Sequence, residues 1–163
     1  IGIIEVTFDD SNKKDEKWYI NTNQTYTYDA SAGTVTATYG TATAKAHADR
    51  NATDKDGVEL DPVVVIEGLK TKLIRTVKAQ AEGLLNQTDW YITRKAEKNT
   101  AIPSAITTWR DGIRTKQAAM ETSITNASNT PALETLYTYV NTADEGEPVV
   151  MARPLGEFPE LGS

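Results

Sequence analysis

The spacing of the apolar residues changes near Ile66, and that switch restricts the chain to strands in its first part and helices in its second. Upstream, Ile1-Gly2-Ile3-Ile4-Glu5-Val6-Thr7-Phe8 is rich in β-branched residues with partial alternation, the pattern of a strand with one face more buried than the other. The cluster Asp9-Asp10-Ser11-Asn12 ends it in a turn. Lys17-Trp18-Tyr19-Ile20 and Thr25-Tyr26-Thr27-Tyr28 read as two further short strands around Asn21-Thr22-Asn23, whose side chains bond their own backbone in turns. After the break at Asp29-Ala30-Ser31-Ala32-Gly33, Thr34-Val35-Thr36-Ala37-Thr38-Tyr39 reads as another strand, with Tyr28 and Val35 flanking a hairpin loop. From Thr41 to Asp49, Thr, Ala and Lys alternate with little to bury; an edge strand and an exposed loop both fit.

Asn51 to Asp61 reads as a polar hinge centred on Asp56-Gly57. Beyond it Ile66, Leu69, Leu73, Val77 and Leu84 share one face of an amphipathic helix, with Lys70, Lys72, Arg75, Lys78 and Glu82 pointing elsewhere. Thr88-Asp89 offers an N-cap for a short helix through Trp90 to Lys95, ended by Glu97-Lys98-Asn99-Thr100. Pro103 suits the first turn of a longer helix whose narrow stripe is Ile106, Trp109, Ile113, Met120 and Ile124. Thr130-Pro131 then reads as N-cap and first-turn proline of a short helix bearing Leu133, Leu136, Tyr137 and Val140. After Asn141, prolines 148, 154 and 159 and glycines 146, 156 and 162 forbid a regular helix. Yet Val149, Val150, Met151, Leu155, Phe158 and Leu161 are too apolar for an idle linker, so this arm docks across its own domain or on a neighbour.

These assignments predict an α+β fold: a small antiparallel β-rich N-terminal part (1–61), a helical hairpin module (62–140) and an extended Pro- and Gly-containing C-terminal arm (141–163). The length, 163 residues, suits one ordinary domain or a small domain with an elongated attachment, and 39% hydrophobic residues imply a thin core. A net charge of −6 disfavours a nucleic-acid partner, because phosphate binding rests on clustered Lys and Arg. With no cysteine, disulfides, thiolate metal sites and cysteine nucleophiles are excluded, and stability must come from packing or partners. The longest apolar run, Val63-Val64-Val65-Ile66, falls far short of the roughly 18 residues that span a bilayer, and the N-terminus has no signal-peptide pattern; no membrane partner is expected.

No enzyme chemistry stands out. His47, the only histidine, lies among Ala46, Ala48 and Asp49 with no nucleophile motif, and reads as a surface residue. Asp54-Lys55-Asp56-Gly57 resembles the middle of a calcium loop, but with Gly57 at the invariant glycine, Ala52 and Val63 occupy ligand positions, so an Asp-Gly turn is the better reading. The 23 acidic residues contain no motif for a glycosidase pair, and no Gly-rich phosphate loop occurs. The Asn-x-Ser/Thr triplets at Asn23, Asn51, Asn86 and Asn126 carry no weight in a Thr-rich chain without a secretory signal. The expectation is no catalytic residue, no cofactor and no metal.

Leu84-Leu85-Asn86-Gln87-Thr88-Asp89-Trp90, followed by Ala101-Ile102-Pro103 and Trp109-Arg110-Asp111-Gly112-Ile113-Arg114, resembles the C-terminal module of phage tail assembly chaperone-like and tail-fibre-associated proteins. That pattern is a helix ending in Leu-Leu, then Thr-Asp-Trp, a short stretch, and an aromatic-Arg-x-x-x-Arg helix. Trp109 stands where the family usually has Tyr, and Asp89-Trp90-Tyr91 with Arg94-Lys95 and Ala-Ile-Pro is similar to a form found in virion proteins of marine tailed phages. The likeness covers residues 84–114, with a looser one in the Pro-rich terminus. In physical terms Asp89 caps the short helix, Trp90 fills the hairpin corner, and Arg110 or Arg114 pairs with Asp89 or a helix-end carbonyl. The hairpin-defining or partner-contact candidates are therefore Asp89, Trp90, Arg94, Trp109, Arg110, Arg114, Leu155 and Phe158.

The resemblance implies a structural virion protein of a tailed bacteriophage, in the tail, baseplate or fibre-attachment region, that works through contacts with other virion proteins. It would reside in the virion tail, and in the host cytoplasm during assembly. The narrow stripes suit an intramolecular hairpin and equally a symmetric bundle, with a homo-oligomer in the particle favoured. One alternative is a transient tail or fibre assembly chaperone. A second is a glycan-binding module at the host-contact end, with Trp18, Tyr19, Tyr26 and Tyr28 as its platform.

Overall fold

The computed structural model describes residues 3–22 and 24–162, so Ile1 and Gly2 of the first expected strand and Asn23 of the expected turn lie outside the described residues. The fold is α+β; among the described residues short strands come first, four helices follow, and a last pair of short strands comes after them. It forms two compact units, Ile1–Ala46 and His47–Ser163. The division falls at Ala46/His47 rather than at Asp61/Pro62, because the segment between these points pairs with and caps the helical unit.

In the first unit, β1 (Val6–Asp9), β4 (Thr34–Thr38) and β3 (Thr25–Asp29) form a sheet in that order. The hairpin expected around Tyr28 and Val35 is present, with these two residues directly paired in antiparallel β3–β4. Asp29 shapes its loop: one carboxylate oxygen accepts from the Ser31 amide at 2.8 Å and the Ala32 amide at 3.2 Å, and Gly33 adopts φ +68. β1 departs from the antiparallel expectation, because it runs parallel to β4 with Val6 opposite Val35 and Phe8 opposite Ala37. Alternation is the same read in either direction, so the sequence pattern carries the face but not the strand direction. β2 (Tyr19–Ile20) pairs antiparallel with β5 (Thr43–Ala44), which makes part of the ambiguous 41–49 stretch a two-residue strand. Trp18, Tyr19 and Ala37 are the buried residues of this unit among those described.

The second unit opens with β6 (Arg50–Asn51), antiparallel to β7 (Val65–Ile66), and a bridge between Thr53 and Glu59 nearer the tip. The expected polar hinge is thus the end of a hairpin. Asp54 closes it by accepting from the Asp56 and Val58 amides at 2.9 and 3.0 Å, while Gly57 takes φ +83. Ile66 belongs to this hairpin and is 40% exposed, not part of the helical stripe. Helix α1 (Leu69–Asn86) buries Leu73, Val77 and Ala81. Its start is capped from a distance: the Asp49 carboxylate accepts from the Gly68 amide at 2.7 Å and the Thr71 hydroxyl at 2.8 Å. Those bonds hold the Asp49 carboxyl below the usual carboxylate range. Gly68 lies so close to the Ala48 carbonyl that a Cβ there would overlap backbone.

Helix α2 (Asp89–Lys98) buries no side chain and stops at Asn99, whose φ of +50 is the left-handed conformation common after a helix end. Helix α3 (Ser104–Asn126) packs along α1 and buries the whole expected stripe, Ile106, Trp109, Ile113, Met120 and Ile124, together with Arg110. Helix α4 (Thr130–Tyr137) starts one residue earlier than the Thr130 cap predicts: Asn129 is the cap, its side chain accepting from the Ala132 amide at 2.9 Å, and Thr130 is buried inside the first turn. Leu133 is fully buried, whereas Val140 lies beyond the helix in β8 (Val140–Asn141), which pairs antiparallel with β9 (Met151–Ala152). The expected extended arm is therefore a small hairpin followed by a docked tail.

Candidate functional site

Leu85, Thr88, Asp89 and Arg110 meet at the corner between α1, α2 and α3. Where α1 ends, the Thr88 amide bonds the Leu85 carbonyl at 3.0 Å, and the Thr88 hydroxyl donates to the same carbonyl at 3.1 Å. Arg110 reaches this turn from α3 with its side chain 8% exposed. One terminal nitrogen donates to the Leu85 carbonyl at 2.8 Å and to the Thr88 hydroxyl oxygen at 2.7 Å; the other lies 2.8 Å from the Asp89 carboxylate. A planar fork with several fixed donors suits this task, whereas an ammonium offers a single point of charge. Asp89 is the first residue of α2, where the helix dipole favours an anion, and Thr88 before it holds the N-cap position without a side-chain cap bond.

The other candidates divide. Arg114 pairs with Asp111 on the surface at 3.1 Å and does not join the corner. Trp90, expected to fill it, is 51% exposed and instead lies against Tyr91 with ring centroids 3.8 Å apart. The Arg94 guanidinium sits 4.8 Å from the Trp90 ring and 5.0 Å from the Tyr91 ring. The helix turns Trp90 outward because Arg110 and Thr88 already occupy the space at the corner.

Trp109, Leu155 and Phe158 are brought together by the tail. Phe158 packs on the cluster of Ala81, Trp109 and Ile113, and the Trp109 indole nitrogen donates to the Pro159 carbonyl at 2.9 Å. Leu155 is 3% exposed, and its amide bonds the Leu136 carbonyl at 3.0 Å. Sequence reasoning missed the clamp that holds this tail. Arg153 grips both oxygens of Glu157, each at 2.7 Å, lies 5.4 Å from the Tyr137 and Tyr139 rings, and Tyr139 donates its hydroxyl to Glu157. Burial raises the Glu157 carboxyl, but the bonds from Tyr139 and Arg153 and the charges of Arg153 and Lys116 outweigh it, leaving the group below its ordinary range. The bond to Glu157 pushes Tyr139 up; burial does the same for Tyr137, against the opposing charge of Arg153. Gly156 makes the turn between the clamp residues at φ +71, where a Cβ would meet the Lys116 side chain. The Arg-x-x-x-Glu spacing is visible in sequence, but in a Pro- and Gly-rich stretch no periodicity points to it.

The tail is flanked by two open clefts. One, of 440 Å³, is lined by Gln80, Leu84, Arg153, Glu157 and Phe158; the other, of 550 Å³, by Thr108, Trp109, Gly112, Pro159 and Leu161. Arg153 and Glu157 of the first are already engaged in the clamp, and Glu160 lines the same cleft. Among the described residues no cluster of three His, Asp or Glu is placed to hold a metal ion, and no helix is long and apolar enough to cross a membrane. The His47 carbonyl accepts from the Lys70 amide at 3.0 Å, which gives this residue a backbone role at the start of α1.

In the first unit the four aromatics of the expected glycan platform part company. Trp18 and Tyr19 are buried, while Tyr26 and Tyr28 are 64% and 58% exposed. The strand register places Tyr26 and Tyr28 on the same sheet face as Val6, Phe8, Val35 and Ala37, and puts the threonines on the other. Comparison of the chain with protein-family models, curated proteins and solved structures returned no match.

Proposed function

We propose that this chain is a structural component of a tailed-bacteriophage particle, in the tail, baseplate or fibre-attachment region, acting through contacts with other virion proteins and with copies of itself. The observation that carries this reading is how the motif residues are used. Arg110, Thr88, Leu85 and Asp89 are spent on joining three helices, and Trp109 on holding the tail, so the stretch that resembles the phage module builds a rigid scaffold. A stretch of this kind supports an adapter, and the phage assignment itself comes from its likeness to that module. The surfaces left for partners are apolar: the Phe8, Tyr26 and Tyr28 face, the strip from Val63 to Ile66, and Val149 to Met151.

Quantitative mass spectrometry of particles that have been banded on a density gradient and washed with salt tests this. A fixed copy number relative to the major capsid protein is the expected result. Absence from particles, with abundance in the infected lysate, would replace the structural role with that of an assembly chaperone.

A further inference from the structure

We infer that the apolar face of the three-stranded sheet is a self-association surface, packed in the assembled state against the same face of a second copy of this chain. Phe8 is 68%, Tyr26 64% and Tyr28 58% exposed, and all three share a face with Val6, itself 42% exposed. The unit that carries the face buries only Trp18, Tyr19 and Ala37 among its described residues. Units of this size are normally completed by disulfides, a metal or oligomerisation. The chain has no cysteine to cross-link this unit, and association would add the apolar burial that it lacks.

Two observations select a second copy as the occupant. The first is charge: the chain carries −6 overall, yet none of the six residues on this face is an acid or a base. Two copies of an acidic chain can approach there without opposing carboxylates, and a charge-free face is its own complement under a two-fold axis. The second is area. Covered aromatics bury about 150–250 Å² each, so three at these exposures with Val6 offer roughly 500 Å² per copy. The total of roughly 1,000 Å² reaches the lower bound for a specific two-copy contact. Sheets packed in this way lie about 10 Å apart with their strands roughly 30° off parallel.

The test is sedimentation equilibrium of the full purified chain at about 100 μM, well above the roughly micromolar Kd of a weak specific interface. The expected result is twice the chain mass for the parent and for Thr27→Lys, which alters the opposite sheet face, and a single chain mass for Phe8→Lys. Circular dichroism establishes that Phe8→Lys is folded. As a measurement that does not depend on that variant, the chain lacks native cysteine, so Thr27→Cys can carry one spin label; paired sheets should then give label-to-label coupling at about 20–40 Å. A monomeric parent, a Phe8→Lys variant that still dimerises, or labels without coupling would each overturn the inference, as would a monomer whose Phe8 face captures a different particle protein. Only the isolated chain is read, so failure here leaves the virion proposal standing.

Discussion

Arg110 on α3 lies 2.8 Å from Asp89 at the first turn of α2, and the same guanidinium bonds the Leu85 carbonyl at the end of α1. The pair is asymmetric, with the arginine 8% and the aspartate 51% exposed, so most of its value lies in satisfying buried groups rather than in the ion pair itself. Arg110→Ala should cost about 2 kcal/mol, since it removes the charge-assisted bonds to the Leu85 carbonyl and the Thr88 hydroxyl at a buried turn, although these two groups keep their bond to each other, and Arg110→Lys should recover less than half. Urea titration with an unchanged m value reads the difference. Asp89→Asn, by contrast, should cost well under 1 kcal/mol.

Trp109→Phe keeps a ring against Ile113 but loses the bond to the Pro159 carbonyl, and should cost about 1 kcal/mol. Phe158→Ala should cost about 2 kcal/mol, below the range for a fully buried ring. Both variants should show earlier proteolytic cleavage within 141–162 while α3 stays protected, and hydrogen exchange followed by mass spectrometry maps the loss. Uniform protection along the tail would contradict the docking.

Asn129→Ala should lower stability by about 1 kcal/mol through loss of the α4 cap, detectable as a drop in the thermal midpoint. Restoring the cap with Asn129→Asp should recover most of it.

The cap on α1 is titratable. Because the Gly68 amide and Thr71 hydroxyl lower the Asp49 pKa, its contribution is complete above the ordinary carboxylate value near pH 4 and is lost as pH falls through the lowered one. Asp49→Asn should flatten the acid limb of the stability curve relative to the parent. An unchanged limb would remove Asp49 from the account.

At the other end of the scale, Tyr139 and Tyr137 are raised, so the clamp is intact below the ordinary tyrosine value near pH 10 and weakens as pH rises through their folded values. Spectroscopic tyrosine titration should show a late-titrating component that Tyr139→Phe diminishes, with the tail becoming protease-sensitive over the same interval.

Several of these features were legible in the residues. The α3 stripe from Ile106 to Ile124 was readable because helical spacing and burial coincide there, and Tyr28 opposite Val35 because a Gly-containing break separates two alternating runs. Arg110 was readable as a partner for Asp89 once both lay on the same predicted hairpin. What the pattern hid is long-range. Asp49 caps a helix 19 residues on, β1 finds β4 in parallel across 29 residues, and Ile66 matches the helical spacing yet pairs with Arg50 in a hairpin. Trp90 was misplaced for a related reason, since the corner it was expected to fill is occupied by a charged side chain whose burial no hydropathy pattern marks.

The docked tail also sets an order of events during synthesis. Fifty residues separate Trp109 from Pro159, so at roughly 10 residues per second the ribosome leaves the Ala81, Trp109 and Ile113 cluster without its lid for about five seconds after Trp109 has been added. During that interval a sticky seam along the nascent helices is open to whatever is nearby, and translation speed through the Pro-rich stretch governs how long.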